Sequence, residues 1–298
     1  MLPRRPNDRC GKLFVSARRW KGPDDVESYL MFEPTQGART PDHYAEYKPC
    51  PALKAYVSCY WSSRTDGTGL CEPAVTVVPD GCTDLIFEWE AEGGRDVSIR
   101  YCGAFELPFS PGPKREGASE TFAVRFFPGG AYPFIGVPLG EFKNALFRGT
   151  DVWGKAAAEL GEQLRLAAGA AERIVRIETA LIRLLAAADS GRVEAPSALH
   201  EAMVRIFAAR GTVSVQQLAR SGNISARQLQ RLFDGRIGLG PKTFCGIVRF
   251  QNILRDAERH PKLSWQEIAG AYGYCDQAHF IRDFKRFYGE LPSSLMMS

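Results

Sequence analysis

The stretches RLFDGRIGLGP (231–241) and RDFKRFYGELP (282–292) share the pattern Arg-x-Phe-x4-Gly-x2-Pro at a constant offset of 51 residues. Upstream, the pair Leu218–Ala219 recurs as Ile268–Ala269 at an offset of 50 residues. Self-similarity at such a period indicates one helical unit that is built twice. The repeat therefore predicts a C-terminal region made of two related all-helical units.

The first unit has the signals of a helix, a tight turn and a second helix. Ser214 followed by Gln217 forms a capping box, in which each side chain bonds the backbone amide of the other residue. Residues 221–223 are Ser-Gly-Asn, and Gly and Asn tolerate the positive φ of a tight turn. Ser225 with Gln228 then predicts a second capped helix.

The second unit repeats this plan. Ser264 with Glu267 predicts the first cap, Gly273 the turn, and Asp276 the second cap. Helix, tight turn and helix in this order are the helix-turn-helix motif. We therefore predict two such units joined by a connecting helix.

The second helix of each unit has a polar face that suits DNA. Arg pairs with guanine and Gln with adenine in the major groove, while Lys and Arg neutralise phosphates. A small helical bundle with ordinary solvated charges is the alternative, but matched caps, turns and basic second helices in both units favour DNA. The polar side chains are Arg227, Gln228, Gln230 and Arg231 in unit one, and Gln277, His279, Arg282, Lys285 and Arg286 in unit two.

Residues 213–295 resemble the DNA-binding domain of AraC/XylS-type transcriptional regulators. The resemblance runs through SVQQLARSGNISARQLQRLFDGRIGLGPKTF, the connecting CGIVRFQNILRDAERHP, and SWQEIAGAYGYCDQAHFIRDFKRFYGELPSSL. It implies that both recognition helices enter successive major grooves on one face of the DNA. The base-reading positions that it implies are Arg227, Gln230, Arg231, Gln277, His279 and Arg282, and the candidate phosphate contacts are Ser225, Lys242, Lys285 and Arg286.

Composition and charge agree with DNA binding by one half of the chain. The net charge is +4, but residues 197–298 hold 14 Lys and Arg against 8 Asp and Glu, so that the rest of the chain is slightly acidic. The sequence shows no transmembrane span and no signal peptide, so we expect a cytoplasmic protein with no membrane partner. The expected organisation is a flexible leader (1–44), a β sensor domain (45–150), a helical segment (151–189), a linker (190–196) and a double helix-turn-helix domain (197–298).

Residues 45–150 contain short β-branched and aromatic runs separated by turn residues, such as Pro79–Gly81 and Pro128–Gly130. This pattern predicts an antiparallel β domain, either a small barrel or sandwich-like. The predicted fold class is therefore α+β, with an all-α C-terminal domain. The segments VPDGCTDLIF and VRFFPGG resemble the sensor-like N-terminal domain of a subgroup of the same regulators.

The β domain is rich in aromatic residues with a few charged neighbours. Apolar and aromatic walls with a few polar groups are typical of small-molecule pockets. The alternative is that each aromatic side chain belongs to the core. The candidate effector pocket comprises Trp61, Glu72, Asp84, Phe87, Trp89 and Arg125.

Eight cysteines raise a metal- or redox-responsive alternative, since five of them fall within residues 50–102. No Cys-x2-Cys or Cys-x4-Cys pair exists, and scattered single cysteines usually pack as small apolar residues. We therefore predict no metal site and no cofactor.

The helical segment carries a heptad-like stripe made of Ile174, Ile177, Leu181, Leu184 and Ala188. The stripe could pair with a second copy of the chain as a homodimer, or cover the β domain as an amphipathic helix. The sequence leaves both open.

The sequence contains no phosphate-binding loop, no nucleophile elbow and no His-Glu-x2-His motif, so we predict no enzyme activity. The predicted function is sequence-specific regulation of transcription, controlled by a small-molecule effector. Double-stranded DNA is the expected partner, with RNA polymerase as a further candidate. A protein-interaction module that binds no DNA is the alternative from another class.

Overall fold

The computed structural model describes residues 44–66, 76–91, 96–110, 117–188, 197–260 and 263–295. The expected leader, apart from Tyr44, and the expected linker lie outside the described residues. So do Glu72, Cys10 and Cys71.

The N-terminal half contains one antiparallel sheet of six strands, so the predicted antiparallel β domain is confirmed as a single sheet. Each neighbouring pair of strands is antiparallel, and the strand order is β1-β2-β5-β3-β4-β6. The strands are β1 Ala45–Tyr47, β2 Val57–Asp66, β3 Thr83–Glu90, β4 Ser98–Cys102, β5 Ala118–Phe126 and β6 Leu146–Arg148.

Helices cover one face of this sheet. They are α1 Tyr132–Ile135, α2 Gly149–Trp153, α3 Lys155–Arg165 and α4 Ala170–Ala188, and a 3-10 helix spans Leu139–Phe142. Side chains alternate between the faces of a strand, and every second residue is buried beneath these helices. The buried side chains on this face include Tyr60, Leu85, Phe87, Trp89, Tyr101, Phe122, Val124 and Phe126.

The heptad-like stripe of α4 packs inside the chain. Ile177 and Leu181 are fully buried in the core of the β domain, and Ile174 and Leu184 pack against it. The structure thus places this stripe as the amphipathic cover of the sheet. A homodimer would have to use another surface.

The C-terminal half is all-helical, as predicted. Its helices are α5 Ser197–Ala208, α6 Val215–Ser221, α7 Ala226–Arg236, α8 Pro241–Arg259, α9 Trp265–Ala271, α10 Gln277–Tyr288 and α11 Pro292–Leu295. The long α8 is the predicted connecting helix between the two units, and Phe244, Ile247, Phe250 and Leu254 bury its apolar face. Within the described ranges, no helix is both long and apolar enough to cross a bilayer.

The two halves share apolar packing. Val78 and Phe127 of the β domain belong to the same buried cluster as Phe244 and Ile237 of the helical domain. At this contact, the fully buried Gln251 of α8 donates its Nε2–H to the carbonyl of Pro79 at 2.8 Å. The connecting helix α8 is therefore packed directly against the β domain.

Candidate nucleic-acid interface and sensor cavity

The helices of the first unit begin at the predicted capping boxes. The Gln217 amide donates to Ser214 Oγ at 3.3 Å, while the Ser214 amide donates to Gln217 Oε1 at 2.9 Å. Ser225 and Gln228 make the same two bonds at 3.2 and 2.8 Å at the start of α7. These caps satisfy backbone amides that a helix start leaves unpaired, and so fix where α7 begins.

The second unit has equivalent caps. Ser264 and Glu267 form a capping box at the start of α9. Asp276 Oδ1 accepts from the His279 amide at 2.7 Å at the start of α10. The start of each helix in both motifs is thus set by local sequence.

The tight turns also correspond. Asn223 has φ 50° and Gly273, which lies 50 residues later, has φ 69°. Both residues adopt the left-handed conformation that Asn and Gly tolerate best. Gly222 has φ −78°, so Asn223 alone supplies the positive φ in the first turn.

Buried anchors orient the two recognition helices. Leu229 and Phe233 of α7 and Phe280 and Phe284 of α10 lie in the helical core. Because these residues hold one face of each helix inward, the polar faces point outward. The predicted base-reading side chains that are exposed are Arg227, Gln230 and Arg231 on α7, and Gln277 and Arg282 on α10.

The two predicted base-reading sets are equivalent at one position. The buried anchors match at an offset of 51 residues, which places Arg231 and Arg282 at the same point of each helix. By the same offset, Arg227 corresponds to Ala278 and Gln230 to Ile281. The copies thus share one exposed arginine and differ around it.

Two of the predicted base readers have partners within the chain. The Gln230 amide donates to both carboxylate oxygens of Asp234 at 3.0 Å. His279 lies 3.7 Å from Asp283 Oδ2 and packs edge-on against the ring of Tyr274. These contacts hold the two side chains along their helices, whereas no such bond is present for Arg231 or Arg282 within the described residues.

The candidate phosphate contacts are all exposed. Lys242, at the start of α8, and Lys285 and Arg286, in the last turn of α10, are exposed. Ser225 is exposed, but its hydroxyl is already engaged in the cap of α7. Exposed Lys and Arg side chains are the groups that can neutralise DNA phosphates.

A second candidate site lies on the face of the sheet opposite to the helices. It is a cavity of about 130 Å³ between the sheet and the segments 77–82 and 103–109. Val77 and Phe109 close this side through two backbone hydrogen bonds of 2.8 and 3.0 Å. The strand residues that line it are Trp61, Asp84, Ile86, Arg100, Cys102, Arg125 and Leu146.

A buried polar network forms one wall of the cavity. Asp84 Oδ1 accepts from Trp61 Nε1 at 2.8 Å and from Arg125 Nε at 3.2 Å, and Asp80 Oδ2 lies 4.0 Å from Arg125. Burial by itself would lower the pKa of Arg125, but the nearby Asp84 and Asp80 carboxylates outweigh it and leave this pKa raised. Arg125 is therefore a permanent cation within an ion-pair network.

The structure brings together part of the predicted effector pocket. Trp61, Asp84 and Arg125 line the cavity. Phe87 and Trp89 lie on the other face, buried beneath α3 and α4, and we remove them from the candidate site. The alternation along β3 could have predicted this division. Asp84, Ile86 and Glu88 are spaced by two residues and share one face of the strand, whereas Phe87 and Trp89 share the other face.

Sequence reasoning missed the segment that closes the cavity. Val77, Val78, Pro79 and Asp80 precede β3 and line the cavity together with Phe105 and Phe109, whose rings stack at 3.7 Å. Asp80 is placed by its own loop, because its Oδ1 accepts from the Cys82 amide at 2.8 Å. The sequence feature that could have indicated this closing segment is the Pro-Asp-Gly turn directly before β3.

The described cysteines are mostly buried single thiols. Cys50, Cys59, Cys82, Cys102 and Cys245 are buried, and Cys275 is exposed. Burial raises the pKa of Cys59 and of Cys245 to about 12 and also raises that of Cys82 and Cys102. Such thiols stay protonated at neutral pH, whereas the thiolate is the reactive and metal-binding form. Within the described ranges, no group of three His, Cys, Asp or Glu side chains is arranged to hold a metal ion.

Comparison with known protein families finds a match for each half of the chain. The model of a helix-turn-helix domain matches residues 218–297. The model of a domain of unknown function, DUF6597, matches residues 45–148, which coincide with the six-stranded sheet. The chain is thus a helix-turn-helix protein in which two such units follow a β domain.

Parts of the chain are also similar to curated proteins that are named as regulators of transcription. The HTH-type transcriptional regulator GlxA of Rhizobium meliloti (strain 1021) is 37% identical over 78 residues, which are 26% of this chain and 24% of that protein. The XylDLEGF operon transcriptional activator of Pseudomonas putida is 30% identical over 87 residues, 28% of this chain and 27% of its own length. The predicted resemblance to helix-turn-helix transcriptional regulators of the AraC/XylS type is thus confirmed.

The chain spans about a quarter of the length of the curated relatives that it matches. Among solved structures, that of ToxT from Vibrio cholerae aligns with 80% of this chain and 98% of its own chain, with a TM-score of 0.35 and 11% identity.

Proposed function

We propose that this protein is a sequence-specific regulator of transcription that binds double-stranded DNA through α7 and α10. The observation that carries the proposal is the pair Arg231 and Arg282, exposed at equivalent positions of two helices with matched caps and turns. An arginine on an outward recognition helix can donate two hydrogen bonds to guanine in the major groove. Transcriptional control also agrees with the relatives, which are named as a transcriptional regulator and a transcriptional activator.

The two copies differ around this arginine, so the preferred site should be asymmetric. Arg227 accompanies Arg231 on α7, whereas Gln277 and His279 precede Arg282 on α10. The test is selection of bound sequences from random duplex DNA by the full chain. A recovered site with two different halves, about one helical turn apart, is the expected result. Recovery of no enriched sequence would overturn the proposal.

Salt dependence separates this function from a protein-interaction module. Binding to DNA releases counterions, so the logarithm of the binding constant should fall linearly with the logarithm of salt concentration. The slope should lie near −0.9 for each phosphate contacted. A complex that is insensitive to salt would indicate a protein partner instead.

We further propose that the β domain receives the regulatory signal as a small molecule bound in the cavity beside Trp61, Asp84 and Arg125. The cavity supports this proposal because it combines apolar walls with a small set of oriented polar groups. A redox or metal signal is less favoured, since burial raises the pKa values of the Cys59, Cys82 and Cys102 thiols. A regulator of this kind acts without enzymatic chemistry, in the cytoplasm, with RNA polymerase and a second copy as candidate partners.

A further inference from the structure

We propose that the cavity takes a small uncharged, mainly apolar molecule, and that its occupant acts on DNA binding through the segment Val78–Gly81. This inference rests on the proposed function, since it names the ligand class and the route of regulation. Three observations carry it: the balance of charges in the cavity, its size and walls, and the double role of the segment that closes it.

The charges that line the cavity are already paired. Arg125 lies against Asp84 and Asp80, and Arg100 is bonded to Glu88 at 2.9 Å. A charged ligand would either enter without a counterion or break one of these pairs. Leaving a buried charge uncompensated costs several kcal/mol. The site therefore selects against both anions and cations.

The size and walls suit a single aromatic ring. The volume of about 130 Å³ is close to that of an engineered apolar cavity that binds benzene. The walls include the indole of Trp61 and the stacked rings of Phe105 and Phe109, together with the aliphatic side chains of Val77 and Ile86. Aromatic rings and aliphatic groups provide dispersion contacts for a flat apolar ligand.

The segment that closes the cavity is also the contact with the DNA-binding domain. Val78, Pro79 and Asp80 line the cavity, and the Pro79 carbonyl accepts from Gln251 of α8. Next to them, Gly81 packs so tightly on Phe244 of α8 that an added Cβ would lie 2.8 Å from the ring. Interfaces packed this closely have discrete arrangements. A shift of Val78–Gly81 must therefore be accompanied by a movement of α8.

The test uses four small aromatic probes on the full chain: benzene and indole as neutral probes, and benzoate and benzylammonium as charged ones. Ligand-observed NMR measures their binding. We expect both neutral probes to bind and both charged probes to bind at least about tenfold more weakly. Equal or tighter binding of either charged probe would overturn the assigned ligand class.

A variant locates the bound probe. Ile86→Trp adds a large side chain that points into the cavity, and it should abolish binding of the neutral probes. Leu166→Trp is the matched control, because it adds the same side chain at an exposed position after α3. Thermal melts establish that both variants are folded, and Ile86→Phe, with a smaller addition, replaces Ile86→Trp if the latter does not fold. Unchanged probe binding to the folded Ile86 variant would overturn the site.

The last measurement concerns regulation. Indole should change the affinity of the wild-type protein for its selected DNA by about fivefold or more, a typical coupling between two sites. The change should disappear in Gln251→Leu, which removes the bond to Pro79. Indole that binds without changing DNA affinity would overturn the route through Val78–Gly81. DNA binding without any probe is measured first, and its loss would count against the proposed function rather than against the cavity.

Discussion

Arg231 and Arg282 occupy equivalent positions on α7 and α10 but have different neighbours. One turn before Arg231 stands Arg227, whereas Ala278 stands one turn before Arg282. Residues four apart on a helix share a face, so α7 presents two guanidinium groups on this face where α10 presents one guanidinium and a methyl group. The helices should therefore contribute unequally to the same binding site.

This inequality gives a prediction at the residue scale. Arg231→Ala and Arg282→Ala should each weaken binding to the selected DNA by roughly 1–3 kcal/mol, and each should relax the preference at a different base pair. Fluorescence anisotropy with single-base variants of the site measures both effects. Arg183→Ala, an exposed arginine of α4, serves as control and should leave affinity unchanged. Wild-type base preference in both recognition variants would contradict the assignment.

Residue roles that depend on neighbours in sequence could be predicted, and those that depend on distant partners could not. A cap joins side chain and amide three residues apart, so Ser225 and Ser264 were readable from the sequence. The role of Glu178 could not be predicted from the sequence, because its buried carboxylate accepts a hydrogen bond from the Cys50 amide 128 residues away. Burial raises the pKa of this carboxyl, which nothing in the local pattern of α4 indicates.

At the scale of elements, α4 illustrates an ambiguity that only the tertiary structure resolves. A stripe with spacings of three and four fits both a coiled-coil seam and an amphipathic helix on a sheet. The aromatic face of the sheet, with Phe87 and Phe122, is the surface that α4 covers. The same contact removed Phe87 and Trp89 from the predicted pocket.

The packing of α4 leads to an element-scale prediction. Leu181→Ala deletes a fully buried side chain and should lower the free energy of unfolding by about 2–5 kcal/mol. Because the contact lies within one chain, the loss should not depend on protein concentration. Chemical denaturation at several concentrations measures both.

Val175→Ala is the matched control on the same helix. Val175 is 54% exposed, so its truncation should change stability by no more than about 0.5 kcal/mol. A loss in Leu181→Ala that disappears at high protein concentration would instead support a dimer seam along α4.

For the whole molecule, the junction of the two halves depends on glycines that allow close backbone approach. A Cβ added to Gly140 of the 3-10 helix would lie 2.9 Å from the carbonyl oxygen of Asp234 in α7. Beside it, the Arg236 guanidinium lies 3.8 Å from the centre of the Tyr132 ring. The C-terminal half of a recognition helix is thus held by the β domain.

Gly140→Ala should push the 3-10 helix and α7 apart and lower the free energy of unfolding by about 1–3 kcal/mol. The reason is that the backbone of α7 cannot make room for the new Cβ unless the whole helix moves. Hydrogen exchange should rise at Leu139–Phe142 and in α7. Gly270→Ala is the control: this glycine of α9 has open space around it, so the change should raise stability by about 0.5–1 kcal/mol. Unaltered exchange in Gly140→Ala would show that the contact is not needed.

The shared apolar packing between the halves also limits how freely they can be recombined. A chimera that joins residues 197–295 to an unrelated N-terminal domain would expose Ile237 and Phe244 where Val78 and Phe127 now cover them. Such grafts need either polar replacements at these two positions or a new sensor that brings its own apolar loop. The β domain is therefore a structural cover for the DNA-binding domain, and modular exchange must transfer the loops at 78–81 and 127–129 along with it.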